Sequence, residues 1–403
     1  MLEIRRHILR GNDASPAYCR ISIHFQKSER LQFHRHVWSF VVFFLAASAS
    51  FSGFYSANQF HEAGTPTGYY QYGLEQMLAG TAERPYVYRQ LLPMAANWAD
   101  RVTPQSIKNL VNARQIGPNY HMFSALQSSP IAMNEQYSFR YLIFYLSTFM
   151  FALAATYGMY RVCLEVQVPP PAAVLAPMVL ILLLPYIFAV IGFFYDYSEL
   201  AFMAFAVWIT ARYRWWWVIP IAALAAWNKE SFFFFVPMLY PFMRRRSSRT
   251  SSLTGIGLLC FVCGVIYLLL RARFAHNAGV TVYFQTSNHL NYLIHHPRFL
   301  LFTTEEAYGL RVPLFFSAIP LALVIWSVAR VWKRLATEVR QHAKIAAAIN
   351  LPLFILFCAP AEARDLSMLY ISLLFVIAAN LEDWFRSAGL WASEGVQAKQ
   401  PGT

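Results

Sequence analysis

Long apolar runs divide this chain, and short clusters of charged residues separate them. A helix that crosses a bilayer needs about 20 consecutive apolar residues, and several runs reach or approach that length. The pattern predicts an all-α, polytopic transmembrane helix bundle of about ten spans, many of them short enough to suit broken or tilted helices. The predicted spans cover residues 37–54, 141–160, 172–194, 196–210, 218–227, 232–243, 253–270, 313–328, 345–358 and 368–379.

The stretch of residues 215–246 has two apolar arms around a polar centre formed by Asn228, Lys229, Glu230 and Ser231. Each arm is shorter than a full membrane span. Charged side chains within the membrane are costly and usually face protein or a water-filled cavity. We therefore expect a short, broken helical hairpin that enters from the cytoplasm, presents its polar centre towards the outer side, and returns.

Charge sets the predicted orientation. The 403 residues include 33 Lys and Arg against 20 Asp and Glu. Most of these cations fall where the loops would face the cytoplasm, and cytoplasmic loops carry such an excess. Both termini are therefore expected inside, with a basic segment at 1–36, a transmembrane domain at 37–381 and a tail at 382–403. Two outer loops are expected, at 52–137 with a surface helix, and at 271–312.

Composition narrows the function classes. The chain is 57% hydrophobic, 13% charged and has a mean hydropathy of +0.38, which is typical of an integral membrane protein. The basic N-terminal segment adjoins a span, which favours anionic membrane lipids as its partner over nucleic acid. The five cysteines indicate no disulfide framework, and no metal site is predicted. Motifs of soluble nucleotide-binding and hydrolytic enzymes are lacking, so the sequence specifies no cofactor.

Four clusters of charged residues fall at the predicted outer boundary of the membrane. They are Arg84 with Arg89, Asp196 with Glu199, Lys229 with Glu230, and Glu362 with Arg364 and Asp365. A site shared by them would combine cations for an anionic group with carboxylates for proton transfer. Each cluster also has a structural interpretation. The arginines would contact lipid phosphate or fix their loop, the D-x-x-E pattern would form a capping box, and the other two clusters would form internal ion pairs.

These clusters carry a resemblance to the C-type membrane glycosyltransferases, and to bacterial integral membrane proteins grouped near them. The similar stretches are residues 84–93 (RPYVYRQLLP), 195–199 (YDYSE), 228–231 (NKES) and 362–364 (EAR). The resemblance in order and topology covers residues 37–381. It implies transfer of a sugar from a polyprenyl-phosphate carrier on the periplasmic side of the bacterial inner membrane. That family uses an acidic residue early in the first outer loop, where this chain departs from the pattern and offers only Glu62.

Sugar transfer from a lipid phosphate needs a base for the acceptor hydroxyl and positive charge for the leaving phosphate. We expect the catalytic carboxylates to be Asp196 or Glu230, with Glu199 as a third candidate. Arg89 and Lys229 are expected to stabilise the phosphate. The full set of predicted substrate-binding residues is Arg84, Arg89, Lys229, Glu362 and Arg364.

Three other functions fit parts of the same pattern. An envelope polysaccharide polymerase or ligase would use the same outer arginines but transfer whole oligosaccharides. A secondary transporter would also have broken helices with charged residues at the break, although the chain shows no internal repeat. A non-catalytic membrane scaffold would tolerate neutralisation of all four clusters.

Overall fold

The computed structural model describes residues 16–58, 60, 73–116, 129, 131–295 and 304–389. Of these described residues, 75% are helical and almost none are in strands. It divides into two compact units, residues 1–45 and residues 46–403. In the first unit the described residues form the start of a long helix, and the second unit contains the remaining elements. Glu62, the acidic residue expected early in the first outer loop, lies outside the described residues.

The first half of the chain contains seven described helices. They are α1 (Pro16–Asn58), α2 (Leu74–Ala79), α3 (Leu91–Val102), α4 (Gln105–Ile116), α5 (Ser138–Glu165), α6 (Pro170–Ile187) and α7 (Asp196–Arg212). A single 3-10 turn, Tyr86–Tyr88, precedes α3.

The second half of the described chain is again mostly helical. Its elements are α8 (Ile219–Asn228), α9 (Phe232–Phe235), α10 (Tyr240–Met243), α11 (Arg249–Arg273), α12 (Thr286–His295), β1 (Thr304–Ala307), β2 (Leu310–Pro313), α13 (Ala318–Val331), α14 (Thr337–Phe357) and α15 (Tyr370–Ser387). Three more 3-10 segments are Trp215–Val218, Val236–Leu239 and Ala363–Leu369.

Among the described residues, five helical segments are long and apolar enough to cross a membrane. They are Val37–Asn58, Ser138–Glu165, Pro170–Ile187, Arg249–Arg273 and Ala363–Ser387. These segments correspond to the first, second, third, seventh and tenth predicted spans. The segments Phe232–Met243 and Ala318–Val331 are apolar but shorter. The described part of the chain therefore has the helix lengths and composition of a membrane protein.

Helix α7 lies at the centre of this fold. Most of its 17 residues are buried, and its most extensive packing is against α5. Small residues permit the close approach, since a Cβ added at Gly158 of α5 would lie 3.1 Å from the Cβ of Ala204. Helix α8 packs on α7 and on α11, and α15 packs on α6. The first turn of α7 is therefore held among several helices.

Both arms of the expected hairpin are helical, but they differ in regularity. The first arm is the continuous helix α8. The second arm, Phe232–Met243, consists of α9, a 3-10 turn and α10. Pro237 and Pro241 begin new turns in this arm, because proline lacks the backbone N–H that a continuous helix requires. The polar centre, residues 228–231, forms the bend between the arms.

Several predicted boundaries of the spans were wrong, and one segment forms a β-hairpin. The span expected at 172–194 ends at Ile187, and the turn that follows is held by the Gly192 N–H, which donates to the Asn58 side chain at 2.8 Å. The helix expected from Pro313 begins at Ala318, because Pro313 ends an antiparallel hairpin of β1 and β2. The hairpin is a small exception at the end of the loop expected at 271–312, since helices dominate the described residues as the all-α prediction expected. Helix α15 continues to Ser387, beyond the end of the tenth span expected at 368–379.

Candidate functional site

Asp196 and Glu199 occupy the first turn of α7, where the positive end of the helix dipole stabilises carboxylates. The capping-box interpretation is wrong, because the N-cap residue is Tyr195 and no side chain caps the helix. Asp196 Oδ2 instead accepts a hydrogen bond from the Phe193 N–H at 2.8 Å. Both carboxylates are almost fully buried, with Asp196 side chain 3% exposed and Glu199 side chain 2% exposed. Buried carboxylates require cationic partners.

Lys229 supplies the main positive charge for these carboxylates. It ends α8 in an extended conformation at the bend, which turns its side chain towards α7. Its Nζ lies 2.7 Å from Glu199 Oε2, 3.6 Å from Asp196 Oδ1 and 3.9 Å from Asp365 Oδ1. One buried ammonium group therefore serves three carboxylates from two separate parts of the chain.

Glu199 is the most completely paired carboxylate of this group. Besides Lys229, its Oε1 accepts hydrogen bonds from the Ser231 hydroxyl at 2.5 Å and from the Ser367 hydroxyl at 2.9 Å. These contacts join α7, the bend after α8 and the 3-10 segment before α15. We infer that Glu199 mainly holds the three segments together.

Arg89 and Glu230 form a second, more open pair. Arg89 Nη2 lies 2.9 Å from Glu230 Oε1, and Nε donates to Oε2 at 3.4 Å. The guanidinium also donates to the Tyr195 hydroxyl and lies 4.6 Å from the centroid of that ring. Lys229 and its neighbour Glu230 thus take different partners, as expected for adjacent residues that do not face each other.

Arg364 and its neighbours complete the site from the turn before α15. Its Nη2 donates to Glu362 Oε2 at 2.8 Å, and its Nη1 lies 3.5 Å from Asp365 Oδ1 and 3.6 Å from Asp196 Oδ1. The expected pairing of Glu362 with Arg364 is confirmed. The guanidinium also lies 4.6 Å from the centroid of the Phe193 ring, a cation–π contact that fixes its plane.

Eight charged residues therefore meet in one place, which we call the charged cluster. Its members are Arg89, Asp196, Glu199, Lys229, Glu230, Glu362, Arg364 and Asp365. Three cations face five carboxylates, so the cluster is negative when every group is ionised. Among the described residues, no group of three or more His, Cys, Asp or Glu is arranged to hold a metal ion. The cationic side chains lie between the carboxylates instead.

Arg84 is the one predicted site residue that the structure places apart from the charged cluster. Its backbone N–H donates to the Ala278 carbonyl at 2.9 Å, and its Nη2 donates to the Gly279 carbonyl at 2.6 Å. Gly279 has φ of +83°, and a Cβ there would lie 2.7 Å from the Arg84 carbonyl oxygen. Arg84 thus joins the segment before α3 to the turn at Ala278 and Gly279, five residues before Arg89.

Two carboxyl pKa values in the cluster shift in opposite directions. Burial alone would raise the pKa of Glu230, but the facing Arg89 guanidinium outweighs burial and holds that pKa below its ordinary value. At Glu362, burial raises the pKa, and the Arg364 guanidinium only partly offsets the effect. The two carboxyl groups therefore differ in which influence prevails, the facing arginine at Glu230 and burial at Glu362.

Sequence reasoning missed the uncharged members of the site. The rings of Phe193 and Tyr195 stack at a centroid distance of 5.1 Å with an interplanar angle of 8°. Phe193 makes a cation–π contact with Arg364, and Tyr195 makes one with Arg89. Their position beside Asp196 was a usable signal, because a residue next to a buried carboxylate shares its surroundings. Ser367 gave no signal, since its partner Glu199 is 168 residues away along the chain.

Comparison of the chain with protein-family models, with curated proteins and with solved structures found no match.

Proposed function

We propose that this chain is a multi-pass protein of the bacterial inner membrane, with about ten spans, both termini in the cytoplasm and the charged cluster at the periplasmic end. Helix α7 supports this orientation. Its 17 residues span about 25 Å, from Asp196 in the cluster to Arg212 at the other end. Arg212 lies close to Arg246, since both contact Glu165, and such cations mark the cytoplasmic face.

The proposed reaction is transfer of a sugar from a polyprenyl-phosphate carrier to an acceptor hydroxyl. The observation that carries the proposal is the convergence of the charged cluster, because its members come from four segments separated by up to 276 residues. The cluster contains both groups that the reaction requires. These are a carboxylate that accepts the proton of the hydroxyl, and cations that stabilise the leaving phosphate.

Asp196 is the best candidate for the base. Glu199 is engaged by Lys229, Ser231 and Ser367. Glu230 is held through both of its oxygens by Arg89. Asp196 Oδ1 accepts no hydrogen bond from any described residue, although the cations of Lys229 and Arg364 lie within 4 Å of it. Oδ1 of Asp196 is therefore the oxygen of these carboxylates that no hydrogen-bond donor already occupies.

Arg89 is the best candidate for the phosphate contact. The side chain of its partner Glu230 is 29% exposed, against 18% or less for the other four carboxylates of the cluster. A phosphate group arriving at this open edge would replace Glu230 as the bidentate partner of the guanidinium. The deeper part of the cluster contains more carboxylates than cations, which disfavours an anionic group there.

The test is the fate of the lipid-linked donor. Membranes that contain the full chain would be incubated with radiolabelled polyprenyl-phosphate sugars, a hexose and a pentose in parallel. We expect one added sugar in the product, and loss of product in Arg89→Ala and Lys229→Ala. The matched control is Arg334→Ala, which removes a cation from an ion pair with Asp383 outside the cluster.

Other outcomes of this experiment identify other functions. A ladder of products would identify the polymerase or ligase. Uptake of a solute into proteoliposomes without any glycan product would identify a transporter. Unchanged product from both Arg89→Ala and Lys229→Ala, in protein that inserts normally, would contradict the proposed mechanism.

A further inference from the structure

Two side chains at the centre of the charged cluster have buried polar atoms with no hydrogen-bond partner among the described residues. These atoms are Oδ1 of Asp196 and both Nε and Nη1 of Arg364. The exposed fractions of the two side chains are only 3% and 6%. Asp196 Oδ1 and Arg364 Nη1 lie 3.6 Å apart, beyond direct hydrogen-bond distance. Leaving such buried groups unpaired is costly, and this marks the place where a ligand atom would bind.

The other polar atoms of these side chains are already engaged, which gives the unpaired atoms a defined direction. Asp196 Oδ2 accepts from the Phe193 N–H at 2.8 Å, and Arg364 Nη2 donates to Glu362 at 2.8 Å. The Phe193 ring supports the guanidinium face at 4.6 Å. The pair is therefore positioned before any ligand arrives, which lowers the cost of binding.

The chemistry of the pair selects one kind of ligand group. An ionised carboxylate only accepts hydrogen bonds, and a guanidinium only donates them. A phosphate oxygen would satisfy Arg364 but would be repelled by Asp196, and an ammonium group would do the reverse. A hydroxyl group both donates and accepts, so one hydroxyl can donate to Asp196 Oδ1 and accept from Arg364 Nη1, which lie 3.6 Å apart.

We propose that Asp196 and Arg364 together bind a single hydroxyl group of a sugar acceptor, which makes this part of the cluster a carbohydrate-binding subsite. The inference rests on the proposed function and names the acceptor class. In the transfer step the hydroxyl proton moves to Asp196 Oδ1 while the oxygen forms a bond to the anomeric carbon of the donor sugar. The bond between that carbon and the phosphate oxygen breaks, and polyprenyl phosphate leaves with the bonding electrons.

The first test uses the unaltered full-length protein in detergent. Methyl pyranosides and their monodeoxy analogues would be compared by ligand-observed NMR, with inorganic phosphate as the competing probe. Removal of one particular hydroxyl should weaken binding about tenfold or more, since a hydrogen bond to charged partners is lost. Equal binding of every monodeoxy analogue, or displacement of the glycoside by phosphate alone, would overturn the proposal.

The second test uses conservative variants with matched controls. Asp196→Asn and Arg364→Lys should each weaken binding of the parent methyl glycoside about tenfold and should abolish the discrimination among monodeoxy analogues. Asp383→Asn and Arg334→Lys make the same exchanges in an ion pair outside the cluster and should bind as the unaltered protein does. If the folded Asp196→Asn variant still distinguishes the monodeoxy analogues as the unaltered protein does, the proposed subsite is contradicted.

The two proposals fail in different ways. Suppose that the protein distinguishes the monodeoxy glycosides but no sugar leaves the polyprenyl-phosphate donor. That result would support the hydroxyl subsite and contradict the transferase proposal. Suppose instead that the protein transfers sugar and that Asp196→Asn and Arg364→Lys transfer it at the full rate. That result would support the transferase proposal and contradict the hydroxyl subsite.

Discussion

Both ends of the central helices have ion pairs between a basic and an acidic side chain, but the two sets of pairs differ in burial. In the charged cluster, Lys229 and Glu199 pair with side chains that are 6% and 2% exposed. At the opposite ends of α7 and α15 lie what we call the distal pairs, Arg212 with Glu165 and Arg334 with Asp383. Their arginine side chains are 47% and 49% exposed, while the carboxylate partners are 14% and 12% exposed. The chemistry of the pairs is alike, so the difference in burial decides what each end contributes.

Exposed ion pairs contribute little to stability, because water and salt screen their attraction. Buried ion pairs are costly to form, and the loss of one partner leaves an unpaired charge in the interior. A folded chain retains such a cluster where function requires it or where hydrogen bonds compensate. In this protein Ser231 and Ser367 compensate Glu199, whereas Asp196 Oδ1 and two nitrogens of Arg364 are not compensated. The buried end is therefore the one that fits the proposed site.

The largest effect should follow from removal of Lys229. Lys229→Ala leaves Glu199, Asp196 and Asp365 without their shared cation, and we expect a loss of roughly 3–5 kcal/mol in the free energy of unfolding. The measurement is a denaturant titration of the purified protein in detergent. The control, Arg334→Ala in a distal pair, should lose less than about 1 kcal/mol. Equal losses in both variants would break the comparison between the two ends.

A second charge change should restore part of that loss. Adding Glu199→Gln to Lys229→Met removes one buried carboxylate together with the cation, so the double variant should be more stable than Lys229→Met alone by roughly 1–3 kcal/mol. The glutamine can still accept from Ser231 and Ser367, which keeps those contacts. A double variant less stable than the Lys229→Met variant would show that the Lys229–Glu199 contact does not dominate the energetics.

Sequence patterns predicted much of this arrangement but not its contacts. Apolar periodicity indicated the membrane helices, since it depends only on local spacing. The residues Asp196, Lys229, Glu230 and Arg364 stood out because charge is rare in apolar surroundings. The same reasoning grouped Arg84 with Arg89, although Arg84 contacts Gly279 instead. Its position depends on the turn at Gly279, nearly 200 residues away, and no local pattern reports that pairing.

Partner choice within the cluster could not be predicted for the same reason. Lys229 and Glu230 are adjacent in sequence, but their partners, Glu199 and Arg89, come from α7 and from the loop before α3. The conformation of the bend decides which side each faces. The capping-box prediction failed because a pattern of two carboxylates three residues apart is shared by helix caps and buried ion-pair networks.

The loop that carries Arg89 offers a third test. Gly279 has φ of +83°, and a Cβ there would lie 2.7 Å from the Arg84 carbonyl oxygen. Gly279→Ala should therefore destabilise the protein by roughly 2–3 kcal/mol, from backbone strain and steric overlap together. The control is Gly309→Ala, with φ of +72° and no atom within 4 Å, which should cost roughly 1 kcal/mol from strain alone. Equal losses would show that the contact between Gly279 and Arg84 does not contribute to stability.

Acidification should remove the contribution that the Arg89–Glu230 pair, at the open edge of the cluster, makes to stability. The Arg89 guanidinium holds the pKa of Glu230 below its ordinary value, despite the burial that would raise it. The stabilising contribution is therefore fully present above the ordinary glutamate pKa, about 4.3, and is lost as pH falls through the lowered folded pKa. The stability difference between the unaltered protein and Glu230→Gln should shrink over that acidic range. A difference that grows on acidification would contradict the assigned sign.

The smallest effect is expected at the distal pair of α7. Arg212 lies 3.3 Å from Glu165, and its half-exposed side chain has water as an alternative partner. Arg212→Ala should change the free energy of unfolding by less than about 1 kcal/mol, and added salt should reduce the change further. Lys229→Ala, in contrast, should respond weakly to salt because ions do not reach a buried group. A strong, salt-independent loss in Arg212→Ala would mean that burial is not what separates the two ends.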